Sequence, residues 1–91
     1  MRGSPQRRMR KSVDHPAYPV LLDLLKEARR KAGLTQQQVA DALGEPQSFA
    51  AKYERGERRL DVIELFVILR VLGAEPIKLV RLLDRAIRAA D

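Results

Sequence analysis

Apolar residues along this chain recur three and four positions apart, and no segment alternates between apolar and polar with period two. From residue 17 onward this spacing is the signature of amphipathic helices. Leu21, Leu25 and Ala28 form the first stripe, and Gly33 follows its basic last turn. The pattern predicts five helices joined by short connections, at about residues 18–32, 35–43, 47–55, 61–72 and 76–89.

Two of these helices carry a clear start signal. Thr35 is followed three residues later by Gln38, and Asp61 by Glu64. Each pair matches a capping box, in which the two residues satisfy one another's free backbone N–H groups. Gly44 then predicts where the second helix ends, because glycine readily adopts the left-handed conformation of a sharp turn.

The second and third helices form two short helices joined by a tight turn. Ala40 supplies a small side chain where the two helices cross closely, and Gly44 supplies the turn. The apolar residues expected to seat this pair on the body are Val39, Leu43, Ala50 and Tyr53. The outward surface of the third helix is then polar and free of carboxylates until Glu54; it comprises Gln47, Ser48, Phe49, Lys52 and Arg55.

This stretch and its flanks resemble the Cro/cI-type helix-turn-helix family, also called the xenobiotic-response-element (XRE) type. The resemblance covers residues 20–83 and rests on the combined spacing of several short matching segments. The matching segments are Ala32 to Gln36, Val39-Ala40, Leu43-Gly44, Gln47-Ser48, Tyr53 to Arg59 and Leu72-Gly73. It implies an all-α, compact five-helix, lambda-repressor-like DNA-binding domain over residues 17–91, with double-stranded DNA as its partner.

The resemblance also implies base-reading positions on the third helix, which would lie in the major groove. Gln47 matches the most frequent base reader, and a glutamine amide can bond N6 and N7 of adenine together. Ser48 and Lys52 match further groove-facing positions. Phe49 is bulkier than usual there, and two readings stay open: contact with a thymine methyl group, or packing back onto the core.

Other positions are implied to hold the DNA backbone, which orients a protein without reading sequence. Gln36 matches a phosphate-contacting position at the start of the second helix, where the helix dipole assists. Arg55, Arg58 and Arg59 would contact phosphates beyond the third helix. A solvated charged face is the alternative for these arginines and for Lys52.

Four residues are expected to serve the fold. Arg29 and Glu54 match a pair that in this family forms a buried salt bridge between the first and third helices, and Ala40 and Gly44 shape the turn. Glu45 departs from the family pattern, because this position is usually apolar and here an exposed carboxylate would lie beside a polyanion.

The fourth helix is apolar nearly all round. Between residues 62 and 72 only Glu64 and Arg70 are polar, and a domain this small cannot bury every face of such a helix. Either the fourth and fifth helices cover each other, or a homodimer covers them, as is common in the family. The candidate interface residues are Val67, Val71, Ile77, Val80 and Leu83.

Charge is concentrated at the start of the chain. The net charge of the 91 residues is +6 at pH 7, and residues 1–17 hold five basic residues against one acidic residue. We expect residues 1–16 to form a disordered basic arm, which is typical of nucleic-acid binders. The first residues, Met1 to Ser4, also resemble an expression leader, with Met9 as an alternative start.

Composition excludes several classes of function. There is no cysteine and one histidine, His15, so we predict no metal site and no cofactor. No catalytic arrangement of side chains emerges, and no small-molecule ligand is evident, so we expect no enzyme activity. No apolar run reaches the length of a membrane span, and no secretory signal is visible, so we expect a cytoplasmic protein.

Together these features predict a sequence-specific transcription regulator, most simply a repressor, that binds a palindromic operator as a dimer. Two alternatives remain open at this stage. The chain could be an antitoxin or a controller-type autoregulator. It could also be a protein-interaction module that uses the same fold without specific DNA binding.

Overall fold

The computed structural model describes residues 14–90, which form an all-α fold. It confirms the predicted fold class and places each helix end within one residue of the expected position. The helices are α1 (Tyr18–Lys31), α2 (Gln36–Leu43), α3 (Gln47–Glu54), α4 (Val62–Leu72) and α5 (Pro76–Ala90). The predicted arm lies mostly outside the described residues. Its last part leads into α1, where His15 Nδ1 accepts a hydrogen bond from the Ala17 backbone N–H at 3.0 Å.

Both predicted capping boxes are present. The Thr35 hydroxyl accepts from the Gln38 backbone N–H at 3.0 Å, and Gln38 Oε1 accepts from the Thr35 N–H at 2.9 Å. Asp61 and Glu64 repeat the arrangement at 2.7 and 2.9 Å. Each N-cap stabilises its helix by about 1 kcal/mol, so α2 and α4 begin where the sequence signals them.

Gly44 ends α2 in the left-handed conformation, with φ of +71°. A methyl group added at this position would meet no atom within 4 Å. The turn therefore requires glycine for its backbone conformation and not for space.

The core holds α3 firmly against the rest of the domain. The largest fully buried side chains of the core are Tyr53, Leu25, Ile68, Leu69 and Val39, contributed by α1, α2, α3 and α4. Ala40 and Ala50 are also fully buried, and their small size allows the close packing of α2 against α3. Both α2 and α1 pack on α3, and α5 packs on α1 and α4. The outer face of α3 is thus presented on a rigid support.

Helices α4 and α5 do not cover each other completely. Both keep large apolar side chains exposed to solvent. No helix within residues 14–90 is both long and apolar enough to cross a membrane.

Candidate nucleic-acid interface

Helix α3 divides into a buried face and an exposed face, as its sequence predicts. Ala50, Tyr53 and Glu54 are buried, whereas Gln47, Ser48 and Lys52 are exposed. The exposed side chains offer amide, hydroxyl and ammonium groups, which can bond base edges or phosphates. Three of the predicted base-reading residues therefore share one accessible surface.

Phe49 adopts the inward alternative. Its side chain is partly buried against the core, and its ring meets the Tyr53 ring edge-on, with centroids 5.6 Å apart. The Arg58 guanidinium lies 4.8 Å from the Phe49 ring centroid, within the range of a cation–π contact. In this structure the Phe49 side chain packs against the core. Its contact with a thymine methyl group stays a prediction.

The expected ion pair between α1 and α3 is present. Arg29 Nε donates to Glu54 Oε2 at 2.6 Å, and Arg29 Nη2 donates to Glu54 Oε1 at 3.2 Å. Arg29 Nη1 also donates to the Leu34 carbonyl at 3.0 Å, so this side chain joins α1 to α3 and to the loop before α2.

Burial and pairing act in opposite directions on these groups. Burial alone disfavours the charged form of Glu54, but hydrogen bonds from Arg29 and Gln36 outweigh it and hold the Glu54 pKa below its ordinary value. The same hydrogen bond raises the Arg29 pKa. Burial, together with the neighbouring Glu54, raises the pKa of Tyr53 to about 12. The pair is therefore ionised at neutral pH, and Tyr53 is a neutral core residue.

Gln36 lies between the ion pair and the exposed face of α3. Its Nε2 donates to Glu54 Oε1 at 3.0 Å, and its Oε1 accepts from Gln47 Nε2 at 3.0 Å. The sequence predicted a phosphate contact for Gln36 but gave no sign of these two bonds. The structure thus joins a buried carboxylate to the principal candidate base reader.

Two of the predicted phosphate-contacting arginines are paired with carboxylates. Arg55 Nε lies 2.8 Å from Glu57 Oε2, with both side chains more than half exposed. Arg58 Nη2 lies 2.8 Å from Glu64 Oε2, in a more sheltered position. Arg59 is exposed. A phosphate would have to compete with Glu57 for Arg55, and with Glu64 for Arg58.

Replacing Glu57 with glutamine should release Arg55 and strengthen binding to duplexes of random sequence by about two- to fivefold at low salt, because one more cation faces the phosphates. The measurement is fluorescence anisotropy across a salt series. Glu27→Gln, on the exposed side of α1, makes the same change in net charge away from α3. Equal gains for the two variants would show that net charge, and not Arg55, is responsible.

The start of α4 carries a group of exposed apolar side chains, here called the α4 patch. Its members are Val62, Ile63, Phe66 and Val67, which are 68, 73, 38 and 48 % exposed. A shallow depression of about 180 Å³ lies between this patch and the α2–α3 turn; Glu45 and Phe49 line one side of it, and Ile63 and Val67 the other. The patch therefore adjoins Phe49 and the turn that precedes α3.

The predicted dimer residues divide into two groups. Val67, Ile77 and Val80 are exposed. Val71 and Leu83 instead pack partly against the core, so less of their surface is available to a partner. The sequence did not single out Val62, Ile63 or Phe66.

Comparison with known proteins agrees with this geometry. A family model described as helix-turn-helix matches residues 25–79, which span α2, α3 and α4 completely. An XRE-family-like protein from Pseudomonas syringae pv. tomato has a solved structure that is 51 % identical in sequence; the match covers 76 % of this chain and 84 % of that chain, with a TM-score of 0.72. The chain belongs to the XRE-type helix-turn-helix family.

This helix-turn-helix chain also has a curated relative. It is 38 % identical, over 52 residues, to an uncharacterized HTH-type transcriptional regulator, y4dJ, of Sinorhizobium fredii; the match spans 57 % of this chain and 68 % of the relative. The family that the motifs indicated is thus confirmed, and it is a family of DNA-binding transcription regulators, not of enzymes.

Proposed function

We propose that this XRE-type protein binds a specific double-stranded DNA site with α3 in the major groove, and represses transcription by occupying that site. The observation that carries the proposal is the exposed face of α3. It combines Gln47, Ser48 and Lys52 on one surface and has no carboxylate among them. The major groove is about 12 Å wide and admits one helix.

Rigid support of α3 favours sequence recognition over loose electrostatic binding. The helix is fixed from behind by Tyr53 in the core and by the ion pair of Arg29 with Glu54. Side chains held on a rigid element lose less freedom on binding. Under this proposal Gln47 reads an adenine, Ser48 and Lys52 contact neighbouring bases, and Gln36 reaches a phosphate while keeping its bond to Gln47.

The proposal includes a homodimer formed through the α4 patch and the exposed part of α5. Contiguous apolar side chains at the surface of a small domain mark an interaction site. A two-fold axis through this surface would present two copies of α3 to successive major grooves, about 34 Å apart along the DNA. A palindromic operator is the sequence expected from that symmetry.

Selection from a randomised duplex library tests the proposed function. The full chain should enrich a motif with two inverted half-sites, centred about ten base pairs apart. Each half-site should contain an adenine whose replacement weakens binding. If selection enriches nothing above salt-sensitive background binding, the proposal of specific recognition is wrong, and a protein-interaction module becomes the better account.

A further inference from the structure

A line of hydrogen bonds runs from the buried ion pair to the DNA-facing surface. Arg29 holds Glu54, Glu54 accepts from Gln36, and Gln36 accepts from Gln47. In each bond of this line, the atom that donates and the atom that accepts follow from the preceding bond. The ionised carboxylate of Glu54 can only accept, so Gln36 must turn its Nε2 toward it. That leaves Gln36 Oε1, an acceptor, for Gln47.

The orientation of the Gln47 amide follows from the same argument. Only its Nε2 can bond Gln36 Oε1, because two amide oxygens facing each other would repel. One N–H of Gln47 is thereby used, which leaves its other N–H and its Oε1 outside this line of bonds. Gln47 itself is exposed, so its amide offers one donor and one acceptor to any ligand on α3.

We propose that Glu54 is a positioning residue for DNA recognition: acting through Gln36, it fixes the Gln47 amide in the orientation that pairs with adenine and opposes guanine. This inference rests on the proposed function and deepens it. It gives the buried carboxylate a role in base selection besides its role in joining α1 to α3.

The chemistry of the bases explains the selectivity. Adenine offers a donor at N6 and an acceptor at N7, which match the Oε1 and the free N–H of Gln47. Guanine offers acceptors at O6 and N7, so Gln47 Oε1 would face O6 unpaired. A side chain released from Gln36 could instead turn its NH2 group toward the base and donate to both O6 and N7, so it would tolerate guanine better. The hydrogen-bonded line removes that freedom before DNA arrives.

Gln36→Met is the direct test, with Gln37→Met as its matched control. Methionine keeps the length of the side chain and removes both bonds, whereas Gln37 bonds Asp41 on the same helix. The affinity ratio for adenine over guanine, at the base pair that Gln47→Ala identifies, should fall about tenfold in Gln36→Met. It should stay unchanged in Gln37→Met.

A uniform loss of affinity at every base would mean that Gln36 only contacts phosphate, and would overturn the inference. So would an unchanged ratio. Both results are distinct from a failure of the proposed function. If the proposed function is wrong, the wild-type chain will show no adenine preference, or Gln47→Ala will leave that preference intact.

Glu54→Gln tests the buried end of the line. The neutral amide introduced by this substitution can donate as well as accept, so Gln36 is no longer held in one orientation. We expect a loss of the adenine preference similar to that of Gln36→Met, with little further loss in the double variant. A folded Glu54→Gln protein that keeps the full adenine preference would contradict the positioning role.

A measurement without DNA keeps the inference testable even if Glu54→Gln does not fold. In the NMR spectrum of the free protein, the bonded Nε2 proton of Gln47 should be shifted away from the range of exposed glutamines, whose two Nε2 protons already differ from each other because the C–N bond rotates slowly. In Gln36→Met the shift of this Gln47 proton should approach that range, while Gln37→Met should leave it unchanged. Solvent-like shifts for Gln47 in the wild-type protein would show that the line does not form.

Discussion

Arg29→Met is expected to lower the free energy of unfolding by about 3–5 kcal/mol at pH 7, because it leaves a buried carboxylate without its charged partner. Glu54 is only 4 % exposed, so water cannot replace the two hydrogen bonds that Arg29 donates. Gln36 would keep its bond to Glu54, but a neutral amide offsets little of the cost of burying the charge.

The size of this loss should depend on pH. In the wild-type protein the folded-state pKa of Glu54 lies below its ordinary value, so the ionised pair stabilises the fold above the unfolded pKa of about 4.3, and this contribution is lost as pH falls through the folded pKa. In Arg29→Met burial should raise the pKa of Glu54, so the variant gains stability as pH falls from 7 toward 5. The difference in the free energy of unfolding between the wild-type protein and Arg29→Met should therefore be smaller in acid.

Urea unfolding at pH 7 and at pH 4 measures the gap. Arg30→Met is the matched control, because Arg30 is the exposed neighbour of Arg29 on the same helix. That variant should differ from wild type by less than about 0.5 kcal/mol at both pH values. A gap for Arg29→Met below about 1 kcal/mol, or one independent of pH, would show that the pair contributes little to the fold.

Val67→Glu is expected to weaken self-association by on the order of 100-fold while leaving the isolated domain folded. Val67 is 48 % exposed in the single chain, so a glutamate there has access to water until a partner covers it. A two-fold interface would bury two copies of the new charge, each at a cost of about 1–3 kcal/mol. The loss of apolar contact adds to that cost.

Sedimentation equilibrium of the full chain measures this effect, and thermal unfolding checks the fold. Val20→Glu offers a matched control, since Val20 is an exposed valine on α1 outside the α4 patch. Its self-association should equal that of the wild-type protein. A wild-type chain that stays monomeric at high concentration, or a Val67→Glu variant that dimerises as well as wild type, would place the α4 patch outside any dimer interface.

Local rules explain what the sequence predicted well. The capping boxes at Thr35 and Asp61 involve residues three apart, and their geometry is fixed by the helix itself. The left-handed turn at Gly44 is equally local. The inward placement of Ala50 and Tyr53 follows from helical periodicity. The pair of Arg29 with Glu54 spans 25 positions, and it was predicted only because the chain resembles a known family.

Features that depend on how helices meet in space were not predicted. The bonds of Gln36 join α2 to both ends of α3, and no spacing rule connects those positions. Arg58 contacts the Phe49 ring and Glu64 because the α3–α4 loop folds back toward both of them. The α4 sequence showed that some apolar face must be left over, but which face depends on the packing of α2 and α5 against it.

The central claim, that α3 reads DNA through Gln47, is tested most directly by a cycle that combines Gln47→Ala with replacement of the selected adenine in the operator. Dissociation constants of the four combinations are measured at one salt concentration. The account predicts a coupling of about 1–3 kcal/mol: each change alone weakens binding, and the second change adds little once the first is made. Additive effects of the two changes, or an alanine variant that still discriminates against the replaced base pair, would contradict the claim.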